Sequence, residues 1–174
     1  MGLTEDIIAT ACAVATAGTS RIAACARSGA SCEGWLKVEL LHALDGLPGV
    51  VVTPEVGNVD LTVRRGDELV LCELKTFPTN YGRAGKPITN FIAGVVRDLE
   101  KLASRTDEKT RGLAIWMAYY IPEPVPPQWP EHLAKVRRAA AEQLHVEKIR
   151  LDGPRFAHLY VMLARQTDSS RRRS

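Results

Sequence analysis

The chain has 174 residues, 45% of them hydrophobic and 25% charged. That size and balance fit one soluble domain of about 100–200 residues, able to bury a core without disulfide or metal staples, and exclude disorder throughout. The 23 basic and 20 acidic residues leave a net charge of +3, most of it from Arg171, Arg172 and Arg173 in the tail, so a polyanion partner must be met by a local patch.

Residues 4–28 are Ala-rich and read as one helix, or two broken near Gly18, forming an N-terminal helical extension over 1–30 whose role is packing. Ser31 caps a further helix, Cys32 to Leu44, closed by Asp45-Gly46. The runs Val50–Thr53, Val59–Val63 and Leu69–Leu74 read as strands, and residues 77–87 as a Gly/Pro-rich loop. Ile92, Val95, Val96, Leu99 and Leu102 recur at helical spacing within Thr89–Ala103, with Arg97, Asp98, Glu100 and Lys101 pointing outward. Gly112–Ile121 is an apolar strand, ended by the prolines of 122–127. Pro130 opens a helix to Leu144 with Leu133, Val136, Ala140 and Leu144 inward, and Phe156–Ala164 is a last strand. The order predicts a single α/β domain over 1–165, followed by a disordered basic tail over 166–174.

Chemistry concentrates in residues 59–75. Arg65-Gly66-Asp67-Glu68 fits a two-residue hairpin turn, whose register sets Asp60 opposite Glu73. Directly opposed side chains stand about 4.5–5.5 Å apart at Cβ. Two carboxylates at that spacing repel, and a divalent cation between them removes the cost. Lys75 shares the face of Glu73, while Val59, Leu61, Val63, Val70, Cys72 and Leu74 form the opposite, core face. On the preceding helix, Glu33 projects along the stripe of Leu36, Leu40 and Leu44 that must pack on the sheet. Glu39 projects off that stripe, beside Trp35 and His42. Lys37 lies close enough to the stripe to offer Glu33 a plain ion pair, and Glu55, five residues before Asp60, is a further acid within reach.

A helix bearing an acid, followed by a hairpin bearing Asp60 and Glu73-Leu74-Lys75, resembles the PD-(D/E)XK, or restriction-endonuclease-like, nuclease superfamily over about residues 31–121. The proline that leads the family motif is replaced by Val59. The resemblance implies a central mixed β-sheet flanked by helices, and a metal-dependent (endo)nuclease acting on nucleic acid, DNA first, in restriction, repair or defence. It implies that Asp60 and Glu73, with Glu33 as the helix-borne acid, bind Mg²⁺, for which Mn²⁺ substitutes. Lys75 would orient or activate water and steady phosphate charge. The chemistry suits the task independently of the name: a carboxylate-bound hard cation activates water, and an ammonium stabilises developing charge.

Arg83 and Lys86, with Tyr81 nearby, follow Lys75 in the loop and are candidate phosphate contacts. Lys135, Arg137 and Arg138 would extend a basic track. The histidines lack paired-ligand spacing. Cys12, Cys25, Cys32 and Cys72 lack zinc spacing and a disulfide framework, which leads to an expectation of reduced thiols in a cytoplasmic protein. No apolar run reaches the roughly 18 residues of a membrane span, so no membrane partner is expected. With no separate DNA-reading domain recognisable, specific reading would depend on a homodimer or a partner protein. The alternative function is a nuclease-like module that binds nucleic acid or protein without cutting. For Asp60, Glu73 and Lys75 the competing reading is a surface salt-bridge ladder on an exposed hairpin face.

Overall fold

The computed structural model describes residues 2–81 and 87–166. Arg83, Lys86 and the basic tail beyond Gln166 lie outside the described residues. The chain opens with α1 (Leu3–Ala17) and α2 (Thr19–Ser28), bent by 67° to each other. Gly18, at the bend, makes room for the Trp35 ring, which a Cβ there would meet at 2.1 Å. Then follow α3 (Glu33–Asp45), β1 (Val50–Pro54), β2 (Leu61–Arg65), β3 (Glu68–Pro78), α4 (Ile88–Ala103) and β4 (Thr110–Pro122). The chain continues with α5 (Trp129–Ala139), β5 (Ala140–Asp152) and β6 (Arg155–Ala164).

All six strands join one mixed sheet in the order β1-β2-β3-β4-β6-β5. Among the described residues only β3 and β4 run parallel, and α4 makes the crossover between them. On one face α1, α2 and α3 supply Leu3, Ile7, Ala11, Ile22, Leu36 and Leu40 to a cluster with Leu61, Val63, Cys72 and Leu74. The N-terminal helices therefore belong to the main core rather than standing apart from it. On the other face α4 and α5 supply Ile92, Val95, Leu99 and Val136 against Trp116, Tyr160 and Met162. Full burial of such side chains contributes about 1.5–3 kcal/mol each, which is what holds the layers on the sheet. Among the described residues no single helix is long and apolar enough to cross a membrane.

The C-terminal third departs from the sequence expectation. The helix predicted to reach Leu144 stops at Ala139, and Ala140 takes extended backbone (φ −80°, ψ 159°). Ala140 and Leu144 lie instead on β5, an edge strand paired antiparallel with β6. Pairing along the whole of β6 overrides the helical preference of Ala139-Ala140-Ala141-Glu142. Strand β3 also runs past Leu74 to Pro78, taking in residues expected to be loop, because β4 pairs with it as far as Tyr119.

Candidate functional site

Gly66 adopts positive φ (58°) and Arg65 pairs with Glu68, so the hairpin turns at Gly66-Asp67. The ladder runs to Leu61↔Cys72 and stops one step short of the expected pairing of Asp60 with Glu73. At that step β2 leaves β3. Glu55 and Asn58 take left-handed backbone (φ 60° and 62°) around the 3₁₀ turn Val56–Asn58, and this tight loop draws the chain away. The departure opens the edge of β3, and side chains satisfy its exposed amides. The Leu74 N–H donates to Asp60 Oδ2 (2.9 Å) and the Thr76 N–H to Glu33 Oε2 (3.2 Å).

The start of α3 is pinned at the same place. The Cys32 N–H donates to Thr76 Oγ1 (3.0 Å), and Ser31 Oγ lies 3.1 Å from that hydroxyl while accepting from the Glu33 N–H (3.2 Å). These bonds set Glu33 at the seam between α3 and β3. Glu39 instead pairs with Arg21 (3.2 Å). Lys37 does not pair with Glu33; its ammonium donates to Asp60 Oδ1 (3.0 Å) and to Glu55.

Glu73 and Lys75 project from the other face of β3, under α4. Asp98 and Lys101, expected to point outward, turn in: Lys101 pairs with Glu73, and Lys75 Nζ lies 3.1 Å from Asp98 Oδ2. Gly94, Asp98 and Lys101 recur at i, i+4 and i+7, forming one line beside the apolar stripe of α4. That line was the available sequence signal, and it went unread because Asp and Lys default to solvent. Gly94 gives Lys75 its path, since a Cβ there would sit 3.2 Å from Lys75 Cε.

Electrostatics follow from this packing. Glu73 is 6% exposed. Burial pushes its carboxyl up to about 7, with Lys101 opposing the rise and Asp60 and Asp98 adding to it. The Lys101 contact is an ion pair without hydrogen-bond geometry, so Glu73 Oε1 has no directed donor among the described residues. Burial by itself would lower Lys75, but Asp98, Glu33 and Asp60 outweigh it and raise its pKa. Lys75 is thus an ammonium at neutral pH, a fixed charge rather than a base.

The structure brings Glu33, Asp60, Glu73 and Lys75 to one stretch of β3 and adds Lys37, Asp98 and Lys101. It does not gather the three acids into a ready ligand cage. Among the described residues, no three ligand atoms of this group lie within 4.8 Å of one another. Each carboxylate is met by an ammonium or a backbone amide instead. A hard divalent cation nevertheless suits the donor chemistry, since the donors of Glu33, Asp60 and Glu73 are carboxylate oxygens. No family model, curated protein or solved structure matches the chain.

Proposed function

We propose that the protein is a metal-dependent nuclease with a restriction-endonuclease-like core, acting on DNA. The observation that carries the reading is the convergence on β3, where Asp60 accepts from the Leu74 N–H, Glu73 is buried one residue before it and Lys75 follows one residue after, next to the parallel β3–α4–β4 crossover. Asp60 from the loop before β2 and Glu73 from β3, with Glu33 from the start of α3, would hold Mg²⁺ or Mn²⁺. Such an ion polarises a phosphoryl oxygen and lowers the pKa of bound water. Lys75 holds positive charge where the phosphate gains negative charge, and Asp98 fixes that ammonium from α4. Lys37 and Lys101 neutralise the acids in the metal-free protein and swing off on long, half-exposed side chains. Reduced thiols support a cytoplasmic setting, and the described cysteines form no disulfide.

A second reading has its own observation. The ion pairs Lys37–Asp60, Lys101–Glu73 and Lys75–Asp98 neutralise the acids internally, as a binding module that has lost catalysis would require. Incubation with supercoiled plasmid, linear duplex, single-stranded DNA and RNA, each with Mg²⁺, Mn²⁺ or EDTA, separates the two. Metal-dependent cutting of DNA supports the nuclease. Retention of nucleic acid with no cutting under any metal supports the binding module.

A further inference from the structure

We propose that Cys12, His145 and Glu147 form a second cation site, one that takes Zn²⁺ and ties α1 to the edge strand β5. Their ligand atoms all lie within 4.8 Å of one another, and all three residues are half-buried. His145 Nε2 and Glu147 Oε2 are 3.3 Å apart. None of this was legible from spacing, because the cysteine and the histidine are 133 residues apart and only the fold joins them.

A bulge in β5 builds the cluster. Gln143 pairs with Met162 and His145 with Val161, so Leu144 is an extra residue in the ladder. Without it, His145 would fall opposite Tyr160 and share the α4/α5 face. With it, His145 and Glu147 stand opposite Val161 and Leu159, whose side chains belong to the α1/α2 layer. Bulges re-aim side chains in this way at functional positions. The result places two potential ligands, which would otherwise be poor choices for an inward face, directly beneath Cys12.

The ligand chemistry selects the ion. A thiolate with an imidazole and a carboxylate suits Zn²⁺ and disfavours Mg²⁺ or Ca²⁺. Three protein ligands leave one tetrahedral position, which half-burial leaves to water. On binding, the Cys12 S–H bond breaks, its proton passes to buffer, and a sulfur–zinc bond forms without any redox change. The bond would hold a helix over a strand whose outer edge has no partner strand among the described residues. This site is independent of the nuclease reading, since β5 lies at the opposite end of the sheet from the Asp60 hairpin.

The test uses the full chain, stripped with EDTA, dialysed and titrated with Co²⁺ as a spectroscopic stand-in for Zn²⁺. One equivalent should bind with a thiolate-to-cobalt charge-transfer band and tetrahedral d–d bands, and Zn²⁺ should displace it. Cys12→Ser should abolish the charge-transfer band. His145→Ala and Glu147→Gln should weaken binding by at least the about 10-fold that loss of a supporting partner costs. The charge-transfer band itself separates this site from the Asp60–Glu73 centre, whose donors are oxygens and give no thiolate band. Absence of a stoichiometric band in the wild type overturns the proposal, as does a band that survives Cys12→Ser. Should Cys12→Ser not fold, unchanged Co²⁺ affinity in both His145→Ala and Glu147→Gln overturns it equally.

Discussion

Burial raises the Glu73 carboxyl and the Lys101 ammonium pulls it back, so the ion pair is what makes a buried charge tolerable on β3. Lys101→Met should therefore cost the metal-free protein about 1–3 kcal/mol, the penalty for an uncompensated buried polar group. Mg²⁺ or Mn²⁺ should then raise the melting temperature of this variant more than that of the wild type, because the cation no longer competes with an ammonium. An equal metal shift in both proteins would show that Lys101 and the cation do not share Glu73. Asp60→Asn and Glu73→Gln should weaken Mn²⁺ binding by calorimetry, whereas Lys75→Ala should leave it nearly intact, since an ammonium is not a ligand. A separate titration belongs to His158, 8% exposed, whose Nδ1 lies 3.1 Å from the Tyr160 hydroxyl. Burial, with Lys148 adding to it, pushes its imidazole down to about 4. An unfolded histidine titrates near 6.5. Between those values the unfolded chain binds a proton that the folded chain refuses. The His158 contribution to stability is thus full above about pH 6.5 and falls as pH drops towards about 4, by a total of order 3 kcal/mol, while the raised Glu73 carboxyl works in the opposite sense as pH falls through about 7. His158→Leu should flatten that slope in urea melts across the window; an unchanged slope would assign it to other groups.

Among the elements, α4 decides how Lys75 is presented. Gly94→Ala should raise helix stability by up to about 1 kcal/mol through propensity. The new methyl would press on Lys75 Cε and Cδ and displace the ammonium from Asp98, so cleavage should fall several-fold while melting temperature holds or rises. Loss of both together would instead mean that the helix cannot accept the methyl. The hairpin was readable from sequence because a Gly-Asp turn fixes register without reference to the rest of the fold. The inward line of Gly94, Asp98 and Lys101 was not read, since its polarity is explained only by the acid and the ammonium it meets on β3. Strand β5 was missed for a related reason. Its inward face carries His145 and Glu147, and the bulge at Leu144 interrupts alternation, so period-two patterning disappears where the run of alanines favours a helix.

Across the whole molecule, the sheet places its chemistry where neighbouring strands part company. Strand β2 leaves β3 at Asp60, and carboxylates from a loop and from α3 cap the two amides that are left. The α/β class was legible because apolar stripes and strand runs alternate along the chain, and the packing of α1 and α2 into the main core was not, because Ala-rich helices look alike in any packing. The account rests on these capped acids serving as a cation site for phosphodiester hydrolysis. The most direct measurement is cleavage of supercoiled plasmid by the wild type, Asp60→Asn, Glu73→Gln and Lys75→Ala, each with Mg²⁺ and with EDTA. The wild type should cut with metal and stop with EDTA, the two carboxylate variants should lose cutting, and Lys75→Ala should slow it by about 10²–10³-fold. Equal cutting by all four proteins, or no cutting by any of them, would contradict it.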